Sequence, residues 1–216
     1  MRVGVLGSGV VGRTLATGFA EHGYDVLLGS DHPDKPEIAA WRTATPKNAA
    51  VGRFADAARH GELVVLACQG SAAEQVIELA RVTNFDGKVV IDTTNPLDFS
   101  KGMPPGVFVG LDDSLGERVQ RKLPRARVVK CFNIVPAPVM TAPLVHGAQP
   151  TMMIAGNDEA AKREVDRVLR AFGWTGSIDL GGIENARWLE TLVPLWVRVA
   201  ARLGDFGVAF RVLSKP

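Results

Sequence analysis

Residues 3–12 read Val-Gly-Val-Leu-Gly-Ser-Gly-Val-Val-Gly, a short apolar run followed by Gly7, Gly9 and Gly12 in the spacing G-x-G-x-x-G. Few patterns restrict a backbone as much. Gly7 permits a tight turn, Gly9 lets the main chain approach a pyrophosphate, and Gly12 lets the next helix pack closely on its strand. The helix amino terminus that follows carries unpaired N–H groups and a partial positive charge. Gly7, Ser8, Gly9, Val10, Val11 and Gly12 are therefore the candidate pyrophosphate cradle. Leu15, Phe19 and Ala20 continue at helical spacing, Gly23 stops the helix, and Asp25-Val26-Leu27-Leu28 reads as the second strand. This is the opening βαβ unit of a dinucleotide-binding fold.

The pattern continues along the chain. Apolar runs of strand length recur at 2–6, 25–29, 51–54, 62–68, 87–92, 126–131 and 151–155. Helical patterns separate them at 10–22, 37–43, 56–60, 71–82, 113–122, 158–172 and 183–203. Strands alternating with helices predict an α/β fold of the Rossmann type, a doubly wound, mostly parallel sheet covered on both faces. Residues 1–150 form the expected dinucleotide-binding domain, and 151–216 a small, helical C-terminal part packed on it. Ser114 with Glu117 is spaced as a capping box, and Asn157 is positioned to cap the following helix. Gly- and Pro-rich loops at 29–36, 93–106 and 133–150 leave strand ends, the edge where open α/β sheets bind ligands. The last helix has two apolar stripes, one through Leu189, Val193, Trp196, Ala200 and Leu203, the other through Trp188, Leu192, Leu195 and Val199. So wide an apolar surface is either a core helix or a homodimer contact. Pro194 is expected to kink it.

Bulk properties narrow the partners. The net charge is +2, with no basic run longer than Arg121-Lys122, which argues against a nucleic-acid partner. No apolar stretch reaches the roughly 18 residues of a membrane span, and Met1-Arg2 leads directly into a strand, so a cytoplasmic location is expected. Cys68 and Cys131 end strands that are second neighbours in the usual sheet order, about 10 Å apart and beyond disulfide reach. They are read as packed thiols. With four scattered histidines they offer no metal-ligand spacing.

Beyond the glycines, the chain contains Leu28-Gly29-Ser30 with Pro33-Asp34-Lys35, then Val89-Val90-Ile91-Asp92-Thr93-Thr94-Asn95-Pro96-Leu97 and Val128-Val129-Lys130-Cys131-Phe132-Asn133. It also contains Ala155-Gly156-Asn157-Asp158, Glu184-Asn185-Ala186-Arg187, and Leu189-Glu190 with Leu192-Val193-Pro194-Leu195. Over essentially its whole length it resembles the NADPH-dependent coenzyme F420 reductases and their bacterial relatives, and is similar to the cytosolic oxidoreductase domain of membrane metalloreductases. The resemblance implies hydride transfer between a nicotinamide and a second redox molecule, F420 or a flavin. It also implies that Asn133, Val135, Pro136 and Ala137 floor the site of that acceptor, where the deazaflavin enzymes carry a His in place of Asn133.

The nucleotide site can be read further from the residues. Ser30 and Asp31 lie 18 and 19 residues beyond Gly12, where a carboxylate serves the ribose hydroxyl of NAD or a cation the 2′-phosphate of NADP. Ser30 and Lys35 favour NADP. Asp31, standing where the family has Arg, keeps NAD open. Ala67, Cys68 and Gln69 are expected beside the nicotinamide end, Gln69 replacing a Pro common in the family. Asn95 either orients the carboxamide or satisfies its own turn ahead of Pro96. No side chain is assigned as catalytic acid or base. Two further readings remain: an imine or carbonyl reductase with Lys130 or His146 as proton donor, and a non-catalytic nucleotide sensor.

Overall fold

The computed structural model describes residues 1–213; residues 214–216, the end of the expected C-terminal part, lie outside the described residues. The chain begins β1 (Arg2–Leu6), α1 (Val10–Glu21), β2 (Asp25–Gly29), α2 (Pro36–Ala44), β3 (Ala49–Gly52), α3 (Phe54–His60), β4 (Leu63–Leu66), α4 (Ala73–Ala80) and β5 (Val89–Asp92). A short hairpin, β6 (Leu97–Asp98) and β7 (Gly106–Val107), precedes α5 (Leu115–Lys122), β8 (Arg127–Lys130), α6 (Ala137–Thr141) and β9 (Met152–Gly156). The last elements are α7 (Glu159–Ala171), β10 (Ser177–Asp179) and α8 (Ala186–Leu203). Eight strands make one sheet in the order β10-β9-β8-β5-β4-β1-β2-β3, parallel except where β8 meets β9. The doubly wound α/β reading holds. The sheet is continued past residue 150 by β9 and β10.

Strand alternation explains the two layers. Val3 and Val5, Leu63 and Val65, and Val89 and Ile91 enter the core shared with α1, α7 and α8. Leu6, Val64, Leu66, Val90 and Val128 enter the opposite core with α3, α4 and α5. Both faces of the central strands are thus apolar, as buried parallel strands require. The same alternation places Asp92 and Lys130, register partners two steps beyond Val90–Val128, on the side of α5. Two charges therefore enter the core at the carboxyl end of the sheet.

Helix ends follow local chemistry. Gly23, at φ +80°, closes α1 as a Schellman motif, its N–H reaching Ala20 and that of Tyr24 reaching Phe19. Ser114 caps α5 through the N–H of Glu117 at 3.0 Å. The expected cap at Asn157 shifts by one residue: Asp158 accepts from the Ala161 N–H, while Asn157 accepts from the Ile183 N–H and ties the start of α8 to the sheet edge. α8 runs unbroken through Pro194. Its first stripe is mostly buried, at Leu189, Val193 and Ala200, whereas Trp188, Leu195 and Leu203 of the two stripes stand at least half exposed.

Candidate functional site

The glycine loop leaves β1 between β2 and β4. A Cβ on Gly7, whose φ is +127°, would stand 2.4 Å from the Ala67 carbonyl oxygen, and one on Gly12 would stand 1.8 Å from that of Gly7. Both positions exclude a side chain. Gly9 differs, since a Cβ there would meet nothing within 4 Å. The loop is packed tightly from below and open above, the shape that admits a diphosphate against the first N–H groups of α1. Arg13 fastens the loop from within the helix, Nη1 donating to the Ser8 carbonyl at 2.6 Å.

Two adjoining cavities lie over the strand ends. The first, about 290 Å³, is lined by Gly9 of the loop and Val10 and Val11 of the first turn of α1, by Ala67–Gly70 after β4, and by Thr93–Asn95 after β5, with Leu97 and Phe99 of the hairpin segment. The second, about 220 Å³, is lined by Asn133–Ala137 after β8, with Met140 and, from α8, Val193, Trp196 and Val197. Val11, Thr93, Asn95 and Leu97 border both. Of the expected nucleotide residues, Gly9, Val10, Val11, Ala67, Cys68, Gln69 and Asn95 come together in the first cavity. The expected acceptor residues Asn133, Val135, Pro136 and Ala137 come together in the second. Ser30, Asp31 and Lys35 lie outside both, near the end of β2. The α8 wall was not expected from sequence, because its contacts join residues some 60 positions apart in the chain.

Cross-links hold the shared wall. The Asn95 amide donates to the Asn133 carbonyl at 2.9 Å, and the Asn133 amide donates to Asn95 Oδ1 at 2.9 Å and to the Leu189 carbonyl at 3.1 Å. Phe132, at φ +66° and fully buried, turns the chain from β8 into the segment Asn133–Ala137 that lines the second cavity. A non-glycine residue in that region is strained, and such strain gathers where surroundings fix a functional loop. Below the turn, Lys130 Nζ lies 2.7 Å from Asp92, 2.8 Å from Glu190 and 2.8 Å from the Thr94 carbonyl. Asp92 also accepts from the N–H and hydroxyl of Thr94, and Glu190 from the N–H groups of Leu115 and Gly116 at the start of α5. Burial pushes the Lys130 ammonium pKa down, but Asp92 and Glu190 more than offset it, so the net displacement is upward.

That geometry corrects the reading of Lys130 as a proton donor. It is fully buried, ion-paired to Asp92 and Glu190 and hydrogen-bonded to the Thr94 carbonyl, and it lines neither cavity. His146 fails differently: its side chain is 76% exposed, paired with Asp205, and lines neither cavity. Among the described residues lining the two cavities, the one ionisable side chain is Cys68, whose thiol burial pushes up to about 12. Cys68 and Cys131 are both free thiols. Among the described residues no group of three His, Cys, Asp or Glu side chains could hold a metal ion.

At the end of β2, Ser30 is buried and its hydroxyl meets Ser8 Oγ at 3.0 Å and the His32 N–H at 3.1 Å. The Asp31 carboxylate is exposed, 3.7 Å from the His32 imidazole. Lys35 is the exposed residue preceding α2. Arg53, which the sequence reading passed over, precedes α3 and donates to the Asp31 carbonyl.

Comparison with known proteins agrees with this geometry. Residues 2–96 match the family described as NADP oxidoreductase, coenzyme F420-dependent. A crystal structure assigned as an F420-dependent NADP reductase from Arthrobacter sp. FB24 is 38% identical, covers 99% of this chain and 100% of its own, and superposes with a TM-score of 0.95. The F420-dependent NADP reductase of Methanocaldococcus jannaschii is 26% identical over 99% of both chains. The metalloreductase STEAP3 of Rattus norvegicus is 29% identical over 90% of this chain, which spans 38% of that longer protein.

Proposed function

The chain belongs to the coenzyme F420-dependent NADP oxidoreductase family, and from that premise we propose that it transfers hydride between NADP(H) and F420 or a related planar acceptor. One observation carries the reading: two cavities of ring size share a wall of Val11, Thr93, Asn95 and Leu97, and no carboxylate, imidazole or amine lines either among the described residues. Reduction of an imine or carbonyl compound calls for a proton donor beside the acceptor atom. Passage of hydride between two stacked rings calls for contact and orientation.

The residues fit the nucleotide, because the open space above Gly9 and the crowded Gly7 and Gly12 form a cradle that any side chain at Gly9 would fill. Gly7–Gly12 would hold the diphosphate, and Ser30 and Lys35 would face the ribose phosphate beside Asp31. Ala67, Cys68, Gln69 and Asn95 would border the nicotinamide. When bound, that ring supplies the hydride. Asn133, Val135, Pro136 and Ala137 would floor the acceptor, and the apolar side chains of α8 would exclude water from it. On this division residues 1–150 bear the nucleotide, and the part from 151 closes the acceptor side. The exposed Trp188 and Leu195 of α8 would be covered in a homodimer, which light scattering tests: a strict monomer at micromolar concentration overturns that part. Among the described residues no helix is long and apolar enough to cross a membrane, and a cytoplasmic location goes with the proposal.

Steady-state oxidation of NADPH in the presence of F420, FMN and FAD is the test. Turnover with F420 supports the reading. Binding of NADPH without turnover of any acceptor would leave a nucleotide sensor in its place.

A further inference from the structure

The end of β2 carries a charge conflict. On the reading above, which this inference rests on, the 2′-phosphate of the nucleotide comes to the residues just beyond β2. Asp31 places an exposed carboxylate there against an incoming dianion. Ser30 does not offset it, because its hydroxyl is occupied by Ser8, by the His32 N–H and, at 3.4 Å, by Asp31 itself. Lys35 makes no ion pair among the described residues and stands four positions further along the chain.

The neighbouring strand supplies a cation. β2 and β3 pair in parallel with Gly29 opposite Gly52, and the Ser30 N–H donates to the Gly52 carbonyl at 3.0 Å. Residues one step beyond each strand are therefore neighbours across the ladder. Gly29 lets α3 close on this end, since a Cβ there would stand 3.2 Å from Phe54 Cα and 3.0 Å from Ala57 Cβ. Arg53, immediately before Phe54, is brought over Asp31 and donates to its backbone carbonyl. That bond fixes the guanidinium and leaves its charge uncompensated. Among the described residues it has no carboxylate partner, whereas the Asp31 carboxylate is directed to Ser30 and His32.

We propose that Arg53 is the specificity residue for the 2′-phosphate of NADP(H), reaching it from the β3 side, and that Asp31 opposes it. A guanidinium has five N–H donors in a planar fork that matches two phosphate oxygens, so one bond to Asp31 still leaves donors for the phosphate. The preference for NADPH over NADH is then set mainly by Arg53 against Asp31, with Lys35 as a second, more distant cation.

Calorimetric titration of NADPH, NADH, 2′,5′-ADP and 5′-AMP into the wild type, Arg53→Ala and Asp31→Ala tests it. Arg53→Ala is expected to weaken NADPH and 2′,5′-ADP by on the order of 10- to 100-fold, the loss of a charge-assisted hydrogen bond, while NADH and 5′-AMP change by less than about twofold. Asp31→Ala is expected to tighten NADPH and leave NADH unimproved. Arg53 is exposed, so its replacement should leave the melting temperature in place. Equal weakening of NADPH and NADH in Arg53→Ala, no weakening of either, or a wild type that prefers NADH overturns the role of Arg53 while leaving the dinucleotide site standing. A wild type that binds neither nucleotide overturns the reading beneath it as well.

Discussion

Replacing Lys130 by Met keeps the volume of the stem and removes the one cation between two buried carboxylates. In the wild type Nζ is fully buried, ion-paired with Asp92 and Glu190 and hydrogen-bonded to the Thr94 carbonyl, all at 2.7–2.8 Å. Removing one member of such a cluster leaves buried charge unpaired, at a cost of about 3–5 kcal/mol. A domain of this size loses about 2–4 °C of melting temperature per kcal/mol, so a fall of about 6–20 °C is expected. The pH dependence identifies the cause. In Lys130→Met, burial and mutual repulsion raise at least one folded-state carboxyl pKa above its unfolded value. Stability is then retained below the unfolded value near 4 and lost as pH rises through the raised folded value, so the deficit against wild type is larger at about pH 8 than at about pH 5. Thermal unfolding followed by circular dichroism at both pH values measures this, and Lys130→Met/Glu190→Gln should recover part of the loss. A deficit that is the same at both pH values, or a melting temperature within about 2 °C of wild type, would refute the reasoning. Because the cluster holds Thr94 from both its N–H and its carbonyl, the variant should also lower kcat with NADPH more than it raises KM.

The glycine loop separates two effects: Gly12→Ala drives a Cβ into the Gly7 carbonyl and should cost about 1–3 kcal/mol of stability, whereas Gly9→Ala, with open space around it, should melt like wild type and bind NADPH at least about tenfold more weakly. Both cysteines should resist alkylation in the folded protein. Burial, with Asp92 beside it, pushes the Cys68 thiol up to about 12, and burial pushes Cys131 up as well, so iodoacetamide labelling at about pH 8 should be at least about 100-fold slower than in guanidinium; labelling at equal rates would contradict the packing. At acid pH, hydrogen bonds from Arg121, ahead of those from Arg118, hold the Asp113 carboxyl down at about 2. Its contribution is full above about pH 4 and lost as pH falls towards about 2, so the urea midpoints of wild type and Asp113→Asn should converge on acidification.

The sheet was legible because its strands are apolar on both faces and glycine marks their exits. The glycine loop was legible because its pattern is contiguous in sequence, although the atom that excludes a side chain at Gly7 belongs to Ala67. What escaped depended on distance along the chain. Glu190 stands beside Thr191 between the apolar stripes of α8, and nothing near it in sequence says that it meets Lys130 and the first turn of α5. The wall supplied by Val193, Trp196 and Val197 read simply as an apolar helix face. β10 is three residues long, and β6 and β7 two each, too short for a periodicity to register. Lys130 looked chemically useful because its residue type is, and only its burial assigns it to structure. Arg53 was hidden for another reason: its place beside Asp31 follows from the parallel register of Gly29 with Gly52, which no single strand displays.

Direct passage of hydride across the shared wall is tested by NADPH carrying deuterium at the transferred position of its nicotinamide. With F420 as acceptor the label should appear in the reduced deazaflavin without dilution by solvent protons, since that ring takes the hydride on carbon, where it does not exchange with water. Loss of the label to water, or reduction of the acceptor with none of it incorporated, would contradict the account.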